Sequence, residues 1–232
     1  MMGLFHAYET REALAEALAT GVSAVLAGSI ATRGSATLAV SGGSTPRIFF
    51  ERLSDAPIDW AQVTVVLVDE RWVPEADERS NAGLVRRHLL QGRAAEARFL
   101  PLYRPGEAAR KAAENVARDI AGLPQPLDVV VLGMGTDGHT ASFFPGSPDL
   151  ATALSMDAPA AAAVEAPGAA EPRMTLTLRW LVEARFLALH IEGDAKRRTL
   201  EAARQAGPVE EMPVRAVITH PREDAMQVFW AP

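Results

Sequence analysis

Short, almost wholly apolar runs recur along the chain at residues 36–40, 63–68, 127–132, 186–191 and 214–219. Runs that do not alternate apolar with polar positions predict strands covered on both faces, as in a parallel sheet. Between them lie stretches of helical spacing. In residues 10–27, Leu14, Leu18, Val22 and Val25 recur on one face, and residues 81–91, 107–121 and 195–206 read the same way. Gly92, Gly122 and Gly207 stand where left-handed C-terminal caps belong. Residues 228–232 read as an edge strand. Residues 151–170, rich in Ala and Pro and without a charge pattern, read as a surface connection or a poorly ordered loop.

Strands alternating with helices predict a doubly wound, mostly parallel α/β sheet with helices on both faces, Rossmann-like in plan. At 232 residues and 48% hydrophobic content, the chain is long enough to bury the core of one such domain, spanning residues 1–232. A net charge of -6 argues against a general nucleic-acid binder, which needs a basic face, so an anionic ligand must be met by a local basic pocket. The absence of cysteine excludes disulfides, thiolate zinc sites and a cysteine nucleophile. Met1 to Tyr8 form no basic segment leading into an apolar one, and no run approaches the roughly 20 apolar residues of a membrane span. The expectation is a soluble cytoplasmic protein without nucleic-acid or membrane partners, as a monomer or weak homo-oligomer.

Candidate chemistry clusters where predicted strands end, which in doubly wound sheets is where ligands bind. Ser41-Gly42-Gly43-Ser44-Thr45-Pro46 follows one strand and opens a helix for which Thr45 is a good N-cap and Pro46 a good first residue. Small residues, hydroxyls and a helix N-terminus together make an anion site; a tight turn with an ordinary cap is the competing reading. Asp69-Glu70-Arg71 ends the next strand, and Arg71 can grip phosphate or carboxylate through two parallel hydrogen bonds. The alternative is a solvated Glu70–Arg71 ion pair.

Gly133, Gly135 and Gly138 spell the dinucleotide fingerprint after a strand, yet the Ala-rich stretch follows where a βαβ unit with an acidic residue should stand. The better reading is a turn presenting Asp137 and His139, an imidazole able to take a proton from water and a carboxylate able to orient it. A buried structural histidine stays open, as does a metal ligand, although no second histidine lies at ligand spacing. Lys196 falls in the first turn of a helix apparently capped by Asp194, where a cation is disfavoured unless an anion neutralises it. Arg173 precedes residues 174–178 and is a second basic candidate. Either could be a solvated surface charge. His6, His88, His190 and His220 have no such setting and read as structural or exposed.

Ser-Gly-Gly-Ser-Thr-Pro at 41–46, Asp-Glu-Arg-Trp-Val-Pro at 69–74 and Gly-Met-Gly-Thr-Asp-Gly-His-Thr-Ala-Ser-Phe-Phe-Pro-Gly at 133–146 resemble the signatures of the 6-phosphogluconolactonase family, in order and spacing along nearly the whole chain. The resemblance implies one doubly wound domain, no metal or organic cofactor, and hydrolysis of 6-phosphogluconolactone in the oxidative pentose phosphate pathway. It implies His139 as general base and Asp137 as its orienting neighbour. Gly43, Ser44, Thr45, Arg71, Arg173 and Lys196 would hold phosphate and sugar, with Asp69 shaping the site near the ring. More distantly, the chain resembles glucosamine-6-phosphate deaminases, which share the first loop and the Asp-Gly-His element; that activity is the alternative. A non-catalytic sugar-phosphate sensor ranks last, since no length is left for an output module.

Overall fold

The structure, a computed structural model, describes residues 4–232. The chain runs β1 (Leu4–Ala7), α1 (Arg11–Arg33), β2 (Ala36–Val40), α2 (Arg47–Ser54), β3 (Val63–Leu67), β4 (Asp69–Arg71), α3 (Asn81–His88), β5 (Arg98–Leu100) and α4 (Ala109–Ala121). It continues through β6 (Val129–Leu132), α5 (Leu150–Leu154), β7 (Ala161–Val164), β8 (Arg173–Leu176), α6 (Leu178–Val182), β9 (Phe186–Glu192), α7 (Asp194–Ala203), α8 (Val214–Ile218) and β10 (Gln227–Ala231).

Seven strands form a parallel sheet in the order β1-β10-β9-β6-β2-β3-β5. Every residue of β2 and of β6 is buried, so helices cover both faces there, and the strands can be apolar without alternation. α1 packs on β2, β6, β9 and β10 and against α2. From β2 the chain proceeds outward to β3 and β5 on one side, and later to β6, β9 and β10 on the other. The carboxyl ends of β2 and β6 therefore border a topological switch point, where such sheets leave a crevice. The register levels those ends: Val40 pairs with Leu67 and with Val131, and Leu132 with Leu189. Beyond that edge, β4, β8 and β7 form a small antiparallel sheet.

Several expectations are corrected. Residues 214–218 form helix α8, not a strand: a short apolar run cannot separate a buried helical turn from a buried strand, and Pro213 at φ −61° starts the helix. Residues 228–232 do not form an edge: β10 lies between β9 and β1, because the amino-terminal β1 adds outside it. The Ala-rich 151–170 stretch is neither a passive connection nor a loop throughout. It contributes the end of α5 and all of β7, whose alanines pair antiparallel with β8. Gly122 has φ −76° and Gly207 no positive φ, so neither is a left-handed cap; Gly92 does have φ 51° but opens a 3-10 turn beyond α3. The left-handed cap belongs to Gly34, whose N–H closes on Ile30. Finally, α1 is long and apolar enough to cross a membrane, contrary to the sequence reading; one stripe of it, through Leu14, Leu18, Val22 and Leu26, is buried against the protein's own core.

Candidate active site

The loops at the carboxyl ends of β2 and β6 are tied together by one residue. Ser41 donates its N–H to the Val131 carbonyl at 3.0 Å and accepts from the Gly133 N–H on its hydroxyl at 3.2 Å. Past Ser41 the chain turns at Gly43, whose φ of 93° a side chain would strain. Among the described residues, no acceptor takes the N–H groups of Gly42, Gly43, Ser44 or Thr45. These free amides precede the first turn of α2, an arrangement suited to an anion. Thr45 is not the cap expected of it. Pro46 holds that position without a side-chain bond, and the Thr45 hydroxyl instead accepts from Lys196 Nζ at 3.0 Å. Lys196 stands in the first turn of α7, whose cap is Gly193 at φ 83° rather than Asp194. Burial pulls the Lys196 ammonium below its usual pKa, with nearby Glu192 opposing.

Val68 passes the chain from one sheet to the other: its N–H donates to Val40 and its carbonyl accepts from Leu176. In β4 successive side chains then point to opposite faces. Asp69 and Arg71 line the crevice, and Asp69 Oδ2 accepts from the Ser142 hydroxyl at 2.7 Å. Glu70, between them, is fully buried, which rules out the solvated pair with Arg71. Its carboxylate accepts from the N–H groups of Arg71, Asn81 and Ala82 and from the Ser80 hydroxyl. Burial pushes its pKa up while these bonds pull it down. The carboxylate thereby fastens the N-terminus of α3 to β4.

After β6, the 135–139 turn closes through Gly135 N–H to the His139 carbonyl at 2.9 Å and Gly138 N–H to the Gly135 carbonyl at 3.1 Å. A Cβ on Gly135 would lie 2.3 Å from His139 Nδ1, so that position has no room for a side chain. His139 Nδ1 stands 2.6 Å from Asp137 Oδ1. This bond from His139 pulls the Asp137 carboxyl below its usual range. An ionised carboxylate only accepts, so Nδ1 carries the hydrogen, and in the neutral ring Nε2 is the nitrogen with the lone pair. The ring packs on Phe144 at 4.7 Å between centroids.

A cleft of about 200 Å³ gathers Gly43, Ser44, Thr45, Asp69, Arg71, His139 and Lys196. Asp137 does not line it but stands behind His139. Arg173 does not line it either: it pairs across the small sheet with Arg71, sits half-buried 3.6 Å from Glu171, and is held below its usual pKa by burial and by Arg71. Asn81 and His190 also line the cleft, and neither was singled out from sequence. Ser80-Asn81 reads only as a helix start, and Ser80 does cap α3. His190 is buried on β9, with Nε2 donating to Glu192 at 3.2 Å, and burial holds its pKa low. Among the described residues, no three His, Asp or Glu side chains gather as a metal-ligand group.

This geometry can bind a phosphate beside a base. Residues 9–230 match the model of the family described as glucosamine-6-phosphate isomerases/6-phosphogluconolactonase. The chain belongs to this family. It is 52% identical to a 6-phosphogluconolactonase of Rhizobium meliloti over the full length of both chains. It is 45% identical to one from Pseudomonas aeruginosa, covering 94% of this chain and 90% of the relative. The crystal structure of a 6-phosphogluconolactonase from Shewanella baltica superposes with a TM-score of 0.96 at 39% identity, covering all of both chains. A monomeric glucosamine-6-phosphate deaminase gives a TM-score of 0.80 over 98% of this chain and 97% of its own, but at 15% identity that likeness shows the fold alone.

Proposed function

We propose that this protein hydrolyses 6-phospho-D-glucono-1,5-lactone to 6-phosphogluconate, the lactone-opening step of the oxidative pentose phosphate pathway. The observation that carries the reading is the Asp137–His139 pair, with Nε2 free, in the same cleft as an anion site made of loop amides, Thr45 and Lys196. The family and its 6-phosphogluconolactonase relatives support the substrate.

The phosphate rests on the free amides of residues 42–45, with the Lys196 ammonium beside it, and the sugar ring extends toward β4. Arg173 backs Arg71 from the neighbouring strand and adds to the positive field at that end. His139 Nε2 takes a proton from a water as the water oxygen attacks the lactone carbonyl, and Asp137 stabilises the imidazolium that forms. Arg71 or a loop amide meets the oxyanion. Collapse of the tetrahedral intermediate breaks the bond to the ring oxygen, which takes the proton back from the imidazolium, leaving an open-chain acid and a free hydroxyl. Base catalysis contributes about 10²–10⁴-fold and one oxyanion donor about 10²–10³-fold. For a lactone, already activated, these suffice. The charged substrate does not cross a membrane unaided, which puts the enzyme where the lactone is made, in the cytoplasm.

The test is an assay of the purified protein on freshly generated 6-phosphogluconolactone beside glucosamine 6-phosphate. Accelerated acid release from the lactone, with no ammonia from the amino sugar, is expected. The reverse pattern would replace the lactonase reading with a deaminase.

A further inference from the structure

Ala141 is, among the described residues, the one non-glycine with a positive φ, at 49°. An L side chain adopts this left-handed conformation only where its surroundings impose it. Here they do. The Thr140 carbonyl accepts from the Phe143 N–H at 2.9 Å, so residues 140–143 close a tight turn around Ala141. Three further bonds fasten that turn to its neighbours: the Thr140 hydroxyl donates to the Gly133 carbonyl at 2.7 Å, the Ser142 hydroxyl to Asp69 Oδ2 at 2.7 Å, and the Ser142 N–H to the Thr175 hydroxyl at 3.3 Å. Thr140, Ser142 and Phe143 are buried with it.

The turn brings Phe144 back onto the base. Five residues beyond His139, the half-buried Phe144 ring lies 4.7 Å from the imidazole between centroids, at 37° between planes. The Arg173 guanidinium brings β8 against the same ring, with Cζ 5.9 Å from its centroid. Phe144 does not line the cleft, so it reaches the reaction only through His139. The bond from Nδ1 to Asp137 fixes one point of the imidazole and leaves its plane to turn; a ring packed on it takes up that freedom. An aromatic face also carries negative charge density, which attracts a cation within about 6 Å. A wall of aliphatic side chains would give the imidazolium no such preference over the neutral ring.

We propose that Phe144 is a positioning residue for the base: its ring fixes the plane of the His139 imidazole and, through its face, favours the imidazolium that forms during turnover. The assignment rests on the lactonase reading and deepens it, adding to Asp137 a second group that prepares His139. The charged groups around His139 are Asp137 from its own turn, Arg173 from β8 and, lining the same cleft, Asp69 and Arg71 from β4 and Lys196 from α7. Substitution of Phe144 leaves all of them in place, so a change in the titration of His139 reports on the ring.

The experiment follows His139 by NMR titration of the free protein, and measures kcat and KM for 6-phosphogluconolactone, in the wild type, Phe144→Leu and Phe144→Tyr. Phe144→Leu keeps apolar bulk without an aromatic face. It should move the His139 midpoint to lower pH by about half a pH unit and lower kcat about tenfold, with KM and inhibition by inorganic phosphate unchanged. Phe144→Tyr keeps the face and should restore the midpoint and most of kcat, a pattern that general loosening of the turn would not produce. The proposal is overturned if Phe144→Leu keeps either the wild-type midpoint or the wild-type kcat, or if Phe144→Tyr loses as much as Phe144→Leu. Should Phe144→Leu not fold, Phe144→Met, also apolar and without a ring, is judged by the same outcomes. Failure of the wild type to hydrolyse the lactone would remove the lactonase reading and the role in turnover together, and it is distinguishable because the NMR titration needs no substrate.

Discussion

Asp137 Oδ1 stands 2.6 Å from His139 Nδ1 across a turn that Gly138 closes at φ 82°. The same carboxylate oxygen also accepts the His139 backbone N–H at 3.2 Å, so two contacts from one residue fix both the ring and the backbone that carries it. His139→Asn keeps hydrogen-bonding capacity but has no basic nitrogen. Turnover should fall about 10²–10⁴-fold with inhibition by inorganic phosphate nearly unchanged, because the base acts in the transition state and the anchor acts in both states. Near-normal kcat in a folded His139→Asn protein would assign the base elsewhere. Asp137→Asn should also lower kcat more than it raises KM.

Lys196 lines the same cleft, bonded to Thr45 and depressed in pKa by burial. In the free protein, the charged form that attracts phosphate persists only below that lowered pKa. Phosphate affinity should therefore begin to decline, as pH rises, before an ordinary surface lysine would lose its proton. Titration of inorganic phosphate by calorimetry across the alkaline range checks this. Lys196→Arg should remove the decline, and Lys196→Ala should raise KM at neutral pH; an unchanged KM would end the anchor role.

Glu70 offers a stability test. Its buried carboxylate satisfies backbone amides of Arg71, Asn81 and Ala82, so Glu70→Ala strands them and loosens α3 from β4. A loss of about 2–4 kcal/mol is expected in urea unfolding. A loss within experimental error would mean that α3 is held by packing alone.

His190 makes the protein sensitive to mild acid. Burial holds it neutral, with a pKa below the usual 6.5. As pH falls through 6.5 the unfolded chain takes up a proton that the native state refuses, so this contribution to stability is lost between 6.5 and the lower native pKa and is fully present above 6.5. The melting temperature should drop over that window and drop less steeply in His190→Asn. Parallel curves for the two proteins would argue against it.

Much of this could be read from the chain alone. Residues 36–40, the middle strand of the switch point, are apolar at every position because both faces are covered, and that pattern is local. The same holds for the motifs at 41–46, 69–71 and 133–139: a ligand site at strand ends needs glycines, hydroxyls and charges in contiguous stretches, and contiguous stretches are visible. Even the 133–139 glycines, which also spell a dinucleotide fingerprint, could be read as a turn from the lack of a following βαβ unit.

What tertiary structure decided is everything that depends on which partner a segment meets. Residues 214–218 became the buried helix α8, started at Pro213, and residues 227–231 an interior strand because β1, from the opposite end of the chain, adds to the sheet outside β10. The alanines of β7 have little strand preference of their own and are strand because β8 pairs with them. Glu70 looks like a surface charge beside Arg71 and is buried because the start of α3 folds over it; Asn81 looks like a helix start and faces the cleft because Glu70 holds it there. Periodicity and motif record each residue's neighbours along the chain. Burial, strand order and the partners of a buried polar atom are properties of neighbours across it, and these take their values only when the chain closes.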